Sequence, residues 1–530
     1  MGLIKNNQYL VHYAQEYALR NLKNISKRSS REYQQIDNPK KVVFNLVWSH
    51  YAETTYNELG IMKALQYLGH KPECYICGRK IHRCSPIFDM RNYYDNPQWH
   101  DYDTCTNCYD FGKRALEICD IPYKTYSGTL SGSRYLNPPE GNDIKTLENY
   151  IYKDINIGKH AKDSTLRFFK GKNPDKTNFS YHKILEQRFI NAMKSVDMAE
   201  YSYKNDKPDV LFMVHGCYSE WGPFLDYFKK HNIKTVVWGY TFSSKFGNAN
   251  YIFNFNNYHN IFPLYVKKKK RLSEEEIEQV YSFIHRREEA KSDTKIYNFD
   301  PEEKLSINFS DTFNGKVYAM FPNVPWDSSL TEANNAFSSV YDWVDTTINY
   351  FKEHKEHHLI IKIHPAESTV DFSFGTIKEY IDDNHILTDN ITILDTDTKI
   401  SAYSLFNNID VGLVYNGTVG LEMSVRGIPV IMAGVGRYSN CGFTTNISTK
   451  KEYLKAISNP PLSVTPKQLK LAEMFAYFYF IKSVIPRTYV IHKNKALITF
   501  PVKRFEELLE HTDVKKICKI ITEDIELQDL

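Results

Sequence analysis

The chain lacks a long hydrophobic run: no window of eighteen consecutive residues is entirely apolar. A helix that crosses a bilayer needs about 20 predominantly apolar residues, so a membrane-spanning protein is not expected. The first thirty residues also lack the apolar stretch and small-residue cleavage site of a secretory signal. From these two absences we expect a cytoplasmic protein.

A marked excess of one charge sign is also missing, because 67 Lys and Arg residues face 63 Asp and Glu residues. This balance creates no strong field for a polyanion, so we expect no nucleic-acid partner, and any anionic ligand must bind at a local site. Internal repeats and low-complexity tracts are absent as well. A chain of 530 residues exceeds what one hydrophobic core normally supports, which predicts at least two domains.

The first predicted region, residues 1–40, is a helical extension. Apolar residues recur at helical spacing between Tyr9 and Arg28, and basic residues gather at the end of this segment. The apolar stripe is consistent with packing on the body of the protein and with lying on an anionic membrane surface. Packing is the commoner role of such a stripe.

Residues 41–265 alternate between strand and helix patterns. VVFNLVW, PECYIC, PYKTYS, DVLFMVHG and KTVVWGY are predicted strands, TTYNELGIMKALQYLGH has helical spacing, and a longer helical stretch is predicted from Lys145 to Ser202. This alternation is typical of a parallel sheet with right-handed crossovers and helices on both faces. We therefore predict an N-terminal Rossmann-like domain over residues 41–265.

A second alternating series follows a charged linker region at residues 266–315, in which SEEEIEQVYSFIHRREEA is a predicted exposed helix. KVYAMFPNV, HLIIKIH, NITILD, DVGLVY and PVIMAG are predicted strands of a C-terminal Rossmann-like domain over residues 316–465. Residues 466–530 are predicted to form a helical tail that packs across both domains. The predicted fold class is therefore α/β, with two parallel-sheet domains facing a cleft, where open α/β sheets bind ligands.

The nine cysteines are an odd number, and four of them form C-x-x-C pairs, which favours a reducing compartment and a metal over disulfides. Cys105 and Cys108 lie at a helix start, and Cys77 and Cys84 precede them around a loop, so these four thiolates are the predicted ligands of a structural zinc. Cys74 competes with Cys77 as the fourth ligand. Free buried thiols and an iron–sulfur cluster remain alternatives.

The segment IIKIHPAES predicts cationic groups at the carboxyl end of a strand. His364 ends the strand, and Pro365 restricts the backbone as the chain leaves it. A histidine at this position can donate a hydrogen bond to a phosphate oxygen. Lys362 lies two residues earlier on the same strand face and could add a second positive group. A structural role for His364 is the competing interpretation.

The segment DVGLVYNGTVGLEMSVRGIPVI predicts a phosphate site at a strand–turn–helix junction. A buried strand ends, small residues follow, and a helix begins at Thr418, whose backbone N–H groups would face an anion. Asn416, Gly417 and Thr418 would let a diphosphate or phosphodiester approach the backbone, and Glu422 could accept both hydroxyls of a ribose. The alternative is that Thr418 is only a helix cap and Glu422 an exposed helix residue.

The span from NVPWDSS through EHHLIIKIHPAES, NITILD, ISAYSLFNNIDVGLVYNGTVGLEMSVRGIPVIMAG and RYSNCGFT resembles the C-terminal domain of capsule polysaccharide biosynthesis proteins. These are similar to bacterial Kdo transferases and polysialyltransferases, which share a histidine-proline motif. The resemblance extends to INIGKHAKDSTLRFF and DVLFMVHGCYSEWGPF, and it covers about three quarters of the chain.

The resemblance implies a GT-B glycosyltransferase whose C-terminal domain holds a nucleotide-activated sugar, CMP- or UDP-linked, and whose N-terminal domain holds a glycan acceptor. It implies that His364 and Pro365 contact phosphate, that Thr418 is the hydroxyl residue at the phosphate helix, and that Glu422 contacts the ribose. Asn416 and Gly417 depart from the group, in which a Ser or Thr pair is commoner at this turn.

An inverting transfer needs a base within hydrogen-bond reach of the acceptor hydroxyl. His215 and Glu220 are the predicted catalytic residues, because HGCYSE directly follows a buried strand. His50, Glu53 and, on the other wall of the cleft, Asp327 are further candidates. Acceptor binding or helix capping would account for the same residues without catalysis.

The predicted function is transfer of a sugar from a nucleotide-activated donor to a surface or capsular polysaccharide or a related glycan. Two alternatives remain: a sugar-nucleotide epimerase on the same scaffold, and a non-enzymatic zinc-containing interaction protein. The predicted partners are the donor and a glycan acceptor, with peripheral contact to the inner membrane or to a polysaccharide assembly complex as a further option.

Overall fold

The chain folds into two compact units in the computed structural model. The structure describes residues 8–50, 52–81, 84, 102–126, 139, 147–169, 179–241, 250–253, 258–289, 315–326, 336–369, 376–398, 400–493, 497–523 and 525. The N-terminal unit comprises Met1–Phe168, Pro174–Phe253 and Ile485–Glu526. The C-terminal unit comprises Phe169–Asn173, Asn254–Val484 and Leu527–Leu530.

The N-terminal unit is built on a seven-stranded sheet with the order β15-β8-β7-β6-β1-β2-β3. Its strands are β1 (Lys41–Leu46), β2 (Lys71–Ile76), β3 (Tyr123–Thr125), β6 (Val210–Val214), β7 (Lys234–Thr241), β8 (Asn250–Phe253) and β15 (Val484–Pro486). Strands β7, β6, β1, β2 and β3 are parallel, and β8 runs antiparallel to β7. Strands β1 and β6 are buried along nearly their whole length, as β-branched and aromatic runs covered on both faces should be.

Seven α-helices accompany this sheet in the described part of the chain. They are α1 (Gln8–Ser26), α2 (Ala52–Tyr67), α3 (Tyr102–Ile118), α4 (Gly158–Phe169), α5 (Phe179–Asp206), α6 (Tyr218–Lys230) and α15 (Thr512–Thr522). A 3₁₀ helix at Phe505–Glu510 and two antiparallel strand pairs, β4 (Ile151–Tyr152) with β5 (Ile155–Asn156) and β16 (Ile491–His492) with β17 (Ile498–Thr499), complete it.

The C-terminal unit is built on a six-stranded, fully parallel sheet with the order β11-β10-β9-β12-β13-β14. Its strands are β9 (Val317–Phe321), β10 (His358–Lys362), β11 (Ile391–Leu394), β12 (Val411–Val414), β13 (Val430–Met432) and β14 (Thr445–Asn446). Numbered from β9, this order reads 3-2-1-4-5-6, the doubly wound order of dinucleotide-binding sheets.

Helices cover this second sheet. They are α7 (Tyr258–Lys269), α8 (Glu274–Glu288), α9 (Val340–Glu353), α10 (Ala366–Thr369), α11 (Ile377–Asn384), α12 (Val419–Val425), α13 (Lys450–Ser458) and α14 (Pro466–Tyr477), with a 3₁₀ helix at Tyr403–Asn408 and a π-helical turn at Phe478–Lys482. Trp343 and Phe351 of α9 pack with Leu359 and Ile361 of β10 in the core, and all four are fully buried.

The predicted α/β class with two parallel sheets is confirmed, but the single helical stretch from Lys145 to Ser202 is wrong. The chain there forms the β4–β5 hairpin and then two helices, α4 and α5. Lys153 and Asp154 have φ values of 46° and 62°, the backbone of a tight turn whose twist matches a hairpin. Among the described residues, no helix is both long and apolar enough to cross a membrane.

Candidate functional site

The candidate site of the C-terminal unit lies where its strand order reverses. From β9 the chain moves outward to β10 and β11, and it then returns to the other side of β9 to form β12, β13 and β14. Strands β9 and β12 are hydrogen-bonded neighbours, with Val414 opposite Phe321 near their carboxyl ends. The crossovers on the two sides diverge at this point, which leaves a crevice where doubly wound sheets bind ligands.

Two asparagines meet at this switch point. The side-chain nitrogen of Asn323, which follows β9, donates a 2.7 Å hydrogen bond to Oδ1 of Asn416, which follows β12. The backbone N–H of Asn416 points at Oδ1 of Asn323 over 3.4 Å, and its side-chain nitrogen donates to the carbonyl oxygen of Val435 over 3.2 Å. Asn416 was a sequence prediction, but Asn323 was not, although it is a polar residue just beyond a buried strand.

The residues after Asn416 keep the switch point open. A Cβ added to Gly417 would come no closer than 3.7 Å to Val419 and 3.8 Å to Oδ1 of Asn323, so space remains beside this backbone. Thr418 has helical backbone angles, and its side chain does not cap α12. The predicted alternative of a helix cap therefore does not describe this hydroxyl. Gly420 differs from Gly417, since its added Cβ would lie 2.3 Å from the Tyr438 hydroxyl.

His364 follows β10, the strand on the other side of β9. Its Nδ1 accepts a 3.1 Å hydrogen bond from the backbone N–H of Ala366. An imidazole nitrogen that accepts cannot carry the proton, so the neutral ring is protonated at Nε2, on its other edge. Pro365 lies between these residues and has no N–H of its own. The short turn therefore sets both the tautomer and the orientation of the ring.

Lys362 is turned toward the neighbouring loop. Its Nζ donates to the carbonyl oxygen of Asp395 over 3.1 Å and to Oγ1 of Thr398 over 3.2 Å, both in the loop that follows β11. Burial lowers the pKa of Lys362 to about 8, although Asp395 and Asp397 act in the opposite direction. The lysine thus supports the loop beside β10, one strand away from the Asn323–Asn416 pair.

Glu422 of α12 is 1% exposed and lies in an ion pair. Its Oε1 is 3.1 Å from Nε of Arg287 on α8, and that nitrogen donates a 2.9 Å hydrogen bond to the Tyr403 hydroxyl. Burial raises the pKa of Glu422, and the Arg287 charge opposes this rise. The carboxylate therefore joins α12 to α8. The sequence did not indicate Arg287 as the partner of Glu422, because the two residues are far apart along the chain. Arg287 also lies in a charged helix that was predicted to be exposed.

In the N-terminal unit, His215 directly follows β6 with a φ of 60°. Its backbone N–H donates to the Trp238 carbonyl oxygen over 2.9 Å, and its ring lies 5.6 Å from that of Trp221. Burial and then the charge of Arg167 lower the pKa of His215 to about 4. The ring is therefore neutral near pH 7.

Glu220 is enclosed in the first turn of α6. Its side chain is 0% exposed, and Oε1 lies 3.3 Å from Nη1 of Arg188 on α5, itself 1% exposed. Its backbone carbonyl accepts a 3.1 Å hydrogen bond from Oγ of Ser195. This pair joins α5 to α6. Glu220 is buried, whereas His215 is half-buried.

The other predicted bases have different surroundings. His50 is buried, which lowers its pKa to about 4. Glu53, in the first turn of α2, has a carboxylate that is 28% exposed and contacts Arg487 and His492. Asp327 lies outside the described residues. The sequence could not indicate Arg487 and His492, which are more than 430 residues from Glu53.

The cysteines form a cluster of thiols rather than an evident metal centre. Cys77 follows β2 and accepts a 3.2 Å hydrogen bond from the backbone N–H of Ile81. Burial raises the pKa of Cys77 to about 11, and the electrostatic influence of Cys105 adds to this rise; Cys108 and Cys84 are also buried thiols with raised pKa values. Within the described ranges no group of three or more metal-ligating side chains could hold an ion. Zinc binding by Cys77, Cys84, Cys105 and Cys108 therefore finds no support in this geometry and stays a prediction.

Comparison with known proteins finds a family similarity for part of the chain. Residues 236–479 match the family described as capsule polysaccharide biosynthesis protein. No curated protein matches the chain in sequence.

Solved structures give weaker likenesses. The KpsC β-Kdo 2,4 transferase of Thermosulfurimonas dismutans is 12% identical, with 57% of this chain and 88% of that chain covered and a TM-score of 0.35. The UDP-GlcNAc 2-epimerase of Methanocaldococcus jannaschii is 12% identical, with 82% and 97% covered and a TM-score of 0.26. At these scores neither likeness decides a function.

The matched segment contains Lys362, His364, Asn416 and Glu422, together with the whole parallel sheet of the C-terminal unit. Over residues 236–479 the chain is therefore similar to the family described as capsule polysaccharide biosynthesis protein.

Proposed function

We propose that this protein is a glycosyltransferase of capsule or related surface-polysaccharide synthesis. It transfers a sugar from a nucleotide-activated donor, CMP- or UDP-linked, to a glycan acceptor. The C-terminal unit binds the donor at the β9–β12 switch point. The family match of residues 236–479 supports the biosynthetic role, and a six-stranded parallel sheet of doubly wound order supports nucleotide binding.

The observation that carries the proposal is the pair of asparagines at the switch point. Asn323 and Asn416 are held to each other and to the loop that follows β13, so their amides are fixed before a ligand arrives. Gly417 leaves room beside them for a phosphate to approach the backbone. Fixed neutral donors next to open backbone are suited to an anion, because they need no reorganisation when it binds.

His364 supplies the group that acts on the leaving nucleotide. Its Nε2–H, on the edge opposite Ala366, donates a hydrogen bond to a phosphate oxygen of the donor. Charge develops on that oxygen as the bond to the sugar breaks, so the hydrogen bond is stronger in the transition state than in the bound donor. Pro365 keeps the turn in place, and Thr418 adds a hydroxyl at the start of α12.

In this proposal Glu422 has a structural role beside the donor site. A carboxylate 1% exposed and paired with Arg287 holds α12 against α8, and it thereby positions the Asn416–Thr418 turn. The ribose contact predicted from the sequence requires that the carboxylate also be reached by the nucleotide. The two roles give different outcomes on substitution.

The acceptor belongs to the N-terminal unit in this proposal, with His215 and Glu220 as the catalytic residues predicted from the sequence. A neutral His215 beyond β6 can accept a hydrogen bond from a hydroxyl of the acceptor. Glu220 supports the start of α6 through Arg188. A nucleotide-activated donor also places the enzyme in the cytoplasm, and a growing glycan implies peripheral contact with the inner membrane or a polysaccharide assembly complex.

The proposal also includes a structural zinc, and its predicted ligands are four cysteine thiols. Cys77, Cys84, Cys105 and Cys108 influence one another electrostatically, as thiols close in space do. A structural zinc on them would require deprotonated thiolates and release of protons on binding. Elemental analysis of protein purified without chelator should give about one zinc per chain; a preparation without zinc or iron removes the metal from the proposal.

The proposed function is tested by ligand-dependent stability. Thermal unfolding is measured with CMP, UDP and GDP and with their sugar conjugates. A ligand at a hundred times its dissociation constant adds about 2.7 kcal/mol to stability, so the donor nucleotide should stand out from the other two. Incubation with the stabilising sugar nucleotide should then yield free nucleotide and a lengthened glycan. An epimerised sugar nucleotide as the product, or no nucleotide binding at all, contradicts the proposal.

A further inference from the structure

A second polar site lies at the carboxyl edge of the N-terminal sheet. Glu53 occupies the first turn of α2, and both of its contacts fall on one oxygen: Nη1 of Arg487 lies 2.6 Å from Oε1, and Nε2 of His492 lies 3.3 Å from it. Among the described residues no side chain contacts Oε2. The carboxylate is 28% exposed, whereas the Arg487 side chain is fully buried. One oxygen is therefore anchored and the other is directed away from the anchor.

Neighbouring groups extend this site. Asn57, one turn after Glu53, accepts a 3.4 Å hydrogen bond from Nη1 of Arg487 on its Oδ1 and donates from its side-chain nitrogen to the Tyr240 hydroxyl. Tyr240 lies near the carboxyl end of β7 and is 39% exposed. An exposed aromatic ring beside a carboxylate and an amide is the kind of surface that binds a polyhydroxylated sugar, since the ring covers the apolar face and the polar groups hold the hydroxyls.

The topology places this site at the switch point of its own sheet. Strands β2 and β3 lie on one side of β1, and β6, β7 and β8 lie on the other. The crevice between the crossovers therefore opens at the carboxyl ends of β1 and β6. Glu53 lies on the connection that leaves β1, and His215 on the connection that leaves β6.

The charge state of Glu53 suits a proton acceptor. Burial by itself raises the pKa of Glu53, but the hydrogen bond from His492 and the charge of Arg487 lower it below the ordinary value. Among the described residues, the side chains that contact the carboxylate are the Arg487 guanidinium and the His492 imidazole. Glu53 is therefore ionised near neutral pH. The Glu220 carboxylate, in contrast, is enclosed in a buried ion pair with Arg188.

We propose that Glu53, anchored by Arg487 and His492, binds the reacting hydroxyl of the glycan acceptor and removes its proton. The inference rests on the proposed glycosyltransferase function and names the acceptor site within it. The acceptor hydroxyl gives its proton to Oε2 of Glu53 while its oxygen forms a bond to the anomeric carbon of the donor sugar. The bond from that carbon to the phosphate oxygen breaks, the nucleotide leaves with the electron pair, and Glu53 later returns the proton to water.

The central experiment compares Glu53→Gln and Glu53→Ala with Glu32→Gln, a change at an exposed carboxylate of the same unit. Nucleotide release from the donor is measured with surface polysaccharide of the producing cells as acceptor. Loss of a general base costs about a hundredfold or more, so kcat should fall by that factor in both Glu53 variants, with the KM of the donor unchanged. Sodium formate should restore part of the activity of Glu53→Ala, because a small carboxylate can enter the vacated space. Glu32→Gln should match the wild type.

A pH profile separates a base from a purely structural carboxylate. His492→Phe removes one hydrogen bond to Oε1, so the pKa of Glu53 rises and the acidic limb of the kcat/KM profile should move to higher pH. An unmoved limb, a Glu53→Gln variant within a few-fold of the wild type, or a folded Glu53→Ala variant without formate rescue overturns the role of Glu53. If the wild type itself releases nucleotide from no sugar conjugate, the proposed function fails first and this inference fails with it.

Discussion

Asn323 and Asn416 are 93 residues apart in the chain, yet the amide of one donates a 2.7 Å hydrogen bond to the amide of the other. Each follows a strand, and β9 and β12 are neighbours only because the strand order reverses between them. The pair therefore marks the position at which the strand order of this sheet reverses. Gly417 keeps the space beside this pair open.

Gly417→Ala should separate ligand binding from folding. The added methyl meets nothing closer than 3.7 Å, so the unfolding temperature should stay within about 1 °C of the wild type. The methyl occupies the space proposed for the donor phosphate, so the dissociation constant of the nucleotide should rise roughly tenfold, or about 1.4 kcal/mol. Calorimetry and thermal unfolding measure the two effects.

Gly420→Ala is the matched control for this change. Its methyl would lie 2.3 Å from the Tyr438 hydroxyl, so overpacking should reduce stability by about 1 to 3 kcal/mol. Equal nucleotide affinity in wild type and Gly417→Ala would place the phosphate elsewhere in the C-terminal unit.

His364 can be tested with two amides of different length. Asparagine places an oxygen near the Nδ1 position, where Ala366 donates, and removes the group at Nε2, so His364→Asn should fold normally and lose about a hundredfold in transfer rate. Glutamine places its terminal nitrogen near the Nε2 position, and His364→Gln should retain more activity than His364→Asn. Initial rates at saturating donor give the comparison. The phosphate role would be wrong if both variants kept rates close to the wild type.

The Arg287–Glu422 pair gives a prediction about stability. Glu422→Gln leaves Arg287 buried without its counter-charge, and loss of one partner of a buried pair costs about 3 to 5 kcal/mol. A double variant, Arg287→Met with Glu422→Leu, should recover most of that loss, because a hydrophobic pair needs no desolvation of charge. Chemical unfolding of the single and double variants tests the pair.

Nucleotide affinity in these variants distinguishes the two roles of Glu422. A carboxylate that only joins helices predicts near-normal affinity in the folded double variant. A ribose contact predicts affinity roughly tenfold to a hundredfold weaker in both variants, since a charge-assisted hydrogen bond is lost. A deoxyribose analogue would then bind wild type and Glu422→Gln about equally.

Glu58 predicts a pH dependence of stability. Its carboxyl is fully buried on α2, and burial raises its pKa to about 8 despite a 3.2 Å hydrogen bond from the Trp238 indole. The folded state therefore holds a proton that the unfolded chain releases at lower pH, so stability from this group is complete below the unfolded pKa and is lost as pH rises through about 8.

Glu58→Gln should flatten this dependence. The amide stays neutral, so the variant should gain about 3 kcal/mol relative to the wild type between pH 5.5 and pH 8.5. Unfolding midpoints at the two pH values measure the change, with the exposed Glu278→Gln as the control. A variant whose midpoint falls with pH as steeply as the wild type would show that Glu58 is not the titrating group.

The sequence was informative where a pattern is local. Continuous apolar runs such as VLFMV and HLIIK form buried strands, and the glycine-containing turn after DVGLVY follows β12 as predicted. The parallel sheets follow from alternating strands and helices. The short β4–β5 hairpin was missed because its turn residues, Lys153 and Asp154, lie within a region of helical composition.

Partners distant in the chain could not be predicted. Glu220 and Glu422 were selected because each follows a strand, but their exposure depends on Arg188 and Arg287, which belong to other helices. The same limit hid Asn323, whose significance appears only when β12 lies beside β9. A sequence pattern can predict that a side chain lies at the end of a strand. Which group that side chain faces depends on the order of the strands in the sheet.

The C-terminal segment 485–526 has a consequence for how the protein is made. It contributes part of the edge strand β15 and the Arg487 guanidinium to a sheet whose first strand begins at Lys41. During translation the main segment of the C-terminal unit, Asn254–Val484, leaves the ribosome before segment 485–526, while the earlier unit must wait with an open sheet edge and without the Arg487 partner of Glu53. The unit that is synthesised first is therefore completed last. During that interval its exposed sheet edge must be kept from aggregating by chaperones or by rapid elongation.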